Sequence, residues 1–211
     1  MVRDIAAIGL AVFAVGMSFG AIAIAAGLPA WAVILMSLVV FAGGSQFMAV
    51  GLIAAGNPFA AVFAGLLLNA RHLPFGLAVA DAVGTGWRRR LVGSHILIDE
   101  SVAFTMARAD LAGRRRAYWM TGATLFVSWN IGGLLGVLLG EAVGDTDALG
   151  LDAAFPAGLI ALLLPSLRDR QTREVALAGA AVAVLTTPFL PAGLPVLLAL
   201  SGLLLMWRKR R

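Results

Sequence analysis

Arg71 stands in the string Asn69-Ala70-Arg71-His72-Leu73-Pro74, near the middle of an apolar run, 57–80, that is long enough to cross a bilayer. An isolated arginine at the membrane midplane costs roughly 2.5–3.5 kcal/mol on insertion scales, so its charge must face a polar cavity or a partner. Asn69 and His72 are three residues apart and share a helix face, while Arg71 points about 100° away from His72. Pro74 has no N–H to bond the carbonyl of Ala70, which leaves that oxygen open to another donor. Three polar side chains and a free carbonyl at one depth describe a site for a polar substrate or a proton. His72 is the side chain whose ordinary titration range lies near neutral pH. The alternative is a structural arginine neutralised by an internal carboxylate, with His72 satisfied in the core.

Asp99 and Glu100 are the acidic residues that stand apart from loops and basic clusters, so one of them is the natural counter-ion for Arg71. They lie in a short stretch, 91–107, where His95 and Asp99 share a helix face. Gating by an ion pair and proton relay are both open for Asp99, Glu100 and His72; an amphipathic surface helix with its acids in water is the plainer account. Gly43-Gly44-Ser45-Gln46 interrupts a second run, 30–54. Paired glycines weaken a helix, and Ser45 and Gln46 offer donors and acceptors where an unwound backbone needs them, as in a broken helix lining a substrate path. A glycine packing face with Ser45 bonded back to a carbonyl is the competing reading. Asn130, beside Trp129 and Gly132-Gly133, either meets substrate or bonds across helices.

The elements that must position these residues are helices in a membrane. Of the 211 residues 61% are hydrophobic and 13% charged, with a mean hydropathy of +0.95; a soluble domain is nearer half apolar and a quarter charged. Apolar runs at 5–26, 30–54, 58–80, 118–140, 153–164, 175–190 and 194–207 predict an all-α polytopic membrane protein of about seven transmembrane helices in a single transmembrane domain, 1–211. The stretch 91–107 lies between two basic clusters and is read as re-entrant or interfacial. The net charge of +5 comes from clusters at 88–90, 114–116, 168–173 and 208–211 that abut the apolar runs, a pattern of orientation signals rather than of a nucleic-acid surface.

These clusters place the C-terminus in the cytoplasm and the acidic loop 141–152 outside; three spans before Arg88 put the N-terminus outside as well. The first run is too long for a cleavable signal and reads as a span. Trp31, Trp87, Trp119 and Trp207 read as interfacial anchors. Ser18-Phe19-Gly20 echoes Asn130-Ile131-Gly132, which suggests an inverted repeat with broken helices, 1–90 against 117–190, with the two echoing helices starting on opposite sides. The chain has no cysteine and hence no thiolate metal or redox site. No metal site or cofactor is expected. Ser45 lacks a nucleophile-elbow setting and there is no H-E-x-x-H string, so an intramembrane hydrolase is disfavoured and the chain is read as a non-enzyme. A channel and a structural assembly subunit remain as alternatives to a transporter.

Taken in order, Gly44-Ser45-Gln46-Phe47, then Asn69-Ala70-Arg71-His72-Leu73 with Gly76, then Asp99-Glu100-Ser101 resemble the AzlC family, the large subunits of bacterial branched-chain amino acid exporters. The resemblance implies an inner-membrane, multi-pass permease exporting leucine, isoleucine, valine and related neutral amino acids. It also implies a separately encoded small hydrophobic subunit of the AzlD type; contact with membrane lipid and a homo-oligomer are expected apart from the resemblance. Arg71, or a broken helix near Gly43–Gln46, is placed to hold a substrate carboxylate. Asn69, Gln46, a free carbonyl or an acid is placed to hold the ammonium. Coupling to the proton gradient is the expected drive.

Overall fold

The computed structural model describes residues 1–143, 164, 166–190 and 194–204, and every element among them is helical. The run expected at 153–164, but for Leu164, and nearly all of the acidic loop 141–152 lie outside the described residues, as does the basic C-terminal tail. Helix α1 (Val2–Ala25) is an uninterrupted apolar span. Helices α2 (Ala30–Val40) and α3 (Gly43–Ala54) are separated by a sharp break, where Phe41 takes left-handed dihedrals (φ 38°, ψ 56°) and Ala42 is extended (φ −146°, ψ 84°). The Asn57 side chain accepts the Ala60 N–H at 3.0 Å and Pro58 occupies the first turn, which together start α4 (Pro58–Asn69).

Ala70 and Arg71 interrupt the next turn before α5 (His72–Ala78) and the single turn α6 (Ala80–Val83). Proline supplies the reason. With no N–H at Pro74, the Ala70 carbonyl accepts instead from Leu73 N at 3.1 Å, and ψ values of −23° and −25° at Ala70 and Arg71 give the tighter 3-10 winding. The carbonyl expected to be free is therefore used within the turn. Gly84 and Gly86, at φ 94° and 98°, reverse the chain into α7 (Trp87–His95), which is followed by α8 (Asp99–Met106) and the long α9 (Leu111–Val143). Beyond the undescribed stretch, α10 (Arg170–Thr186) runs antiparallel to α11 (Leu194–Leu198) and its 3-10 extension Ala199–Leu203: Gly179 faces the Ala199 carbonyl and Gly202 faces that of Val175.

Helix directions follow from the contacts. Gly9 lies against Thr124 and Ser128, Gly16 against Trp129, Gly20 against Gly133 and Val137, and Gly140 against Ile24, so α1 and α9 run parallel with backbones touching. Small residues allow that approach in lipid, where close packing substitutes for a hydrophobic drive. The two helices hence start at the same end of the bundle, not at opposite ends as the Ser18–Gly20 echo suggested. Helix α2 runs the other way: Phe41 meets Phe126 at 5.0 Å between ring centroids, and Ser37 sits by Gly133. Helix α3 is antiparallel to α4, with Gly44 by Leu68 and Leu52 clustered with Ala60 and Ala61.

The stretch from α4 to α6 then continues to the end of the bundle where α9 begins, because Arg114 Nε meets Asp81 Oδ2 at 2.8 Å. The α2–α3 pair consequently dips to mid-depth and turns back. This run, expected to be a full crossing, is a re-entrant hairpin. Only two crossings then precede Arg88, and the N-terminus lies at the same end as the clusters 88–90 and 114–116, which corrects the expected placement. The physical reason is the break at Phe41, which turns a bilayer-length run into two half-helices of 11 and 12 residues. The α7–α8 pair is a second hairpin, entering from the opposite end: Gly122 packs on Ile96 at its tip, while Met106 lies by Arg114 at its base.

Candidate functional site

The two hairpin tips meet in the middle of the bundle. At the first, the backbone left open at Ala42 is satisfied by its own sequence: Ala42 N donates to Gln46 Oε1 at 3.0 Å, and Ser45 Oγ donates to the Ala42 carbonyl at 2.9 Å. Ser45 and Gln46 are buried beneath the break, so they hold its shape rather than form its open surface. At the second tip, Ser101 does the same work alone, accepting from Ile98 N at 3.1 Å and donating to the Ile98 carbonyl at 2.8 Å. Both α3 and α8 thus begin at mid-depth with their N-terminal amides, the positive end of the helix dipole, facing inward.

Between the tips lies a cavity of about 460 Å³, lined by Phe41, Ala42, Gly43 and Gly44 from the first hairpin and by Ile98, Asp99 and Glu100 from the second. Arg71 and His72, at the interrupted turn of the crossing helix, form another side. Arg71 Nε lies 3.2 Å from Asp99 Oδ1, an ion pair without hydrogen-bond alignment, and His72 Nε2 lies 3.8 Å from the same oxygen. The side chains of Arg71 and Asp99 remain 39% and 46% exposed, so the open cavity rather than a sealed apolar core surrounds these charges. Glu100 lines the same space, with no cation within ion-pair distance among the described residues.

The remaining wall is apolar: Val12 and Val15 of α1, Phe47 and Met48 of α3, Leu68 of α4 and Trp129 of α9. Trp129 stacks on Phe19 at 5.5 Å and meets the edge of Phe47 at 6.2 Å. Gly43 lies so close to this indole that a Cβ there would stand 2.9 Å from Cη2, which explains glycine at the start of α3. The structure therefore brings Gly43, Gly44, Arg71, His72, Asp99 and Glu100 to one cavity, with Ser45 and Gln46 directly behind. Asn69 stands next to the turn but does not line the cavity. Asn130 is elsewhere: its Nδ2 donates to the Phe126 carbonyl at 2.8 Å, and it borders a separate, mostly apolar pocket of about 250 Å³ with Ser37. The sequence reading missed the aliphatic and aromatic wall. Its one legible sign was Trp129, placed mid-run where an interfacial anchor cannot be.

Two re-entrant hairpins meeting at a charged cavity inside a helical bundle define a polytopic membrane protein with a polar centre at mid-depth. The model of the AzlC protein family matches residues 7–143, which span all three described crossings and both hairpins, and the chain belongs to that family. It is 29% identical over 201 residues to the branched-chain amino acid transport protein AzlC of Bacillus subtilis (strain 168), covering 92% of this chain and 78% of the relative. An uncharacterized membrane protein of Archaeoglobus fulgidus is 30% identical over 179 residues, covering 83% of this chain and 78% of the relative. One from Helicobacter pylori (strain J99) is 28% identical over 173 residues, covering 80% and 75%. No solved structure matches.

Proposed function

We propose that this chain is the large subunit of a secondary transporter that exports branched-chain and related neutral amino acids across the bacterial inner membrane. It works with a small hydrophobic subunit of the AzlD type and draws on the proton gradient. The observation that carries this reading is the cavity that sets Arg71 against Asp99 and Glu100 at one depth, beside an apolar wall, in a member of the AzlC family. A zwitterionic amino acid needs an anion-binding group and a cation-binding group a few ångströms apart, and an aliphatic surface for its side chain. Arg71 and the amides at the start of α3 suit the carboxylate. Asp99 and Glu100 suit the ammonium.

Asp99 sits on Arg71. An entering carboxylate takes over the guanidinium and frees Asp99 for the ammonium, so binding exchanges one ion pair for two and loosens the contact between the crossing helix and the second hairpin. His72, 3.8 Å from Asp99, is placed to take or return a proton as that contact opens. In this reading the end of the bundle that carries the basic clusters 88–90 and 114–116, and with it the N-terminus, faces the cytoplasm, in keeping with the excess of basic residues on cytoplasmic loops. The test is efflux of leucine, valine and methionine from dipeptide-fed cells expressing the chain with its partner. Arg71→Ala is expected to abolish saturable efflux at normal membrane levels. Undiminished efflux from that variant overturns the assignment of Arg71 to the transport path.

A further inference from the structure

The two hairpins and the crossing helices that precede them follow one plan. Each unit is a crossing helix, a half-helix that dips to mid-depth, a break, and a half-helix that returns: α1–α2–α3 first, then α4–α5–α6, α7 and α8. Ser45 and Ser101, which close the two breaks by donating to Ala42 and Ile98, are 56 positions apart, the difference of their residue numbers. The same offset pairs Gly9 with Gly65, Phe19 with Phe75, Gly20 with Gly76 and Trp31 with Trp87. Trp31 and Trp87 open their hairpins at opposite ends of the bundle, 69% and 71% exposed, as anchors at the two membrane surfaces are. The matched units therefore cover 2–54 and 58–107, so the first boundary divides the stretch 1–90 read from sequence as one repeat and the second unit runs past its end.

At the cavity the matched positions carry unlike chemistry. Where the second unit has Arg71, His72, Asp99 and Glu100, the first has Val15, Gly16, Gly43 and Gly44. The charges in the cavity all come from the second unit, while the first contributes Val12, Val15, Phe47 and Met48. Val12 and Val15 lie three residues apart on one face of α1, half-buried, and border the cavity opposite the polar turn. We infer that the cavity is divided between the units: the second binds the charged backbone of the amino acid, and the first, through Val15 and Met48, forms the subsite that selects its side chain. This rests on the export reading above and deepens it.

A hydrophobic pocket discriminates neighbouring side chains by roughly 10–200-fold per methylene, so wall volume at Val15 translates into substrate preference. The experiment measures efflux of alanine, valine, leucine and phenylalanine from dipeptide-fed cells, with membrane levels of each variant determined in parallel. Val15→Phe is expected to depress leucine export about ten-fold relative to alanine, and Val15→Ala to raise phenylalanine export relative to leucine. Met48→Ala, on the other half-helix of the unit, gives the same direction as Val15→Ala if Val15→Phe does not reach the membrane. Equal loss for all four substrates in variants present at normal levels overturns the side-chain subsite while leaving export intact. A wild-type chain that, expressed together with its small partner subunit, exports none of the four overturns the export reading itself.

Discussion

Arg71 and Asp99 can be separated energetically from their part in transport by a double-mutant cycle. At 3.2 Å and an effective dielectric of about 20, two unit charges attract by roughly 5 kcal/mol. Both side chains are more than a third exposed to the cavity, so screening reduces the net coupling toward about 1 kcal/mol. Arg71→Ala leaves Asp99 without its cation, and Asp99→Ala leaves Arg71 without its anion; each single change therefore costs more than the lost attraction. The double variant removes both charges and their desolvation together, so it is expected to be more stable than the sum of the singles by about 1 kcal/mol. For a chain of this size that corresponds to roughly 2–4 °C in Tm, measured by thermal unfolding in one detergent. Efflux should remain lost in the double variant even though its stability recovers. Strictly additive Tm changes would refute the pair as an energetic contact, and recovered efflux would refute Arg71 as a substrate-binding group.

Two further outcomes are expected. Gly136→Leu should destabilise the protein by at least 1–3 kcal/mol, because a Cβ there overlaps the Met17 backbone, whereas Gly65→Ala, with nothing nearer than 4.0 Å, should be nearly neutral; thermal unfolding of both variants decides it. In this cysteine-free chain, Trp31→Cys should react with an impermeant maleimide from outside whole cells, and Val2→Cys and Trp87→Cys only after permeabilisation; outside labelling of Val2→Cys would reverse the topology.

The charged half of the site was legible because charge is conspicuous in lipid. Asp99 and Glu100 were the acids left without a loop or basic neighbour, and Asp99 is the one within reach of Arg71. The glycine pair and its Ser45-Gln46 followers marked a break to within two residues. Its true position escaped notice because Phe41, an aromatic residue at φ 38°, carries no sequence signal for a left-handed turn. The larger effect came from the reversal at that break: reading 30–54 as a crossing inverted the N-terminus and obscured the duplication. The apolar wall was invisible for a different reason. Val12 and Val15 are two aliphatic side chains in a chain full of them, and only the approach of α3 and the polar turn distinguishes them. Asn130 was singled out for its polarity, yet an asparagine bonded to the carbonyl four residues back meets its own helix's needs.

The seam between α1 and α9 also bears on how the protein is made. Among the described residues the glycine face of α1 lies backbone to backbone against α9, and seven helices, α2 to α8, separate the two in the chain. During synthesis α1 therefore cannot complete this contact until residues beyond Leu111 have left the ribosome. Both hairpins are delivered into the membrane before the frame that will hold them is closed. Assembly of the cavity is thus a late event, completed when α9 packs parallel to α1.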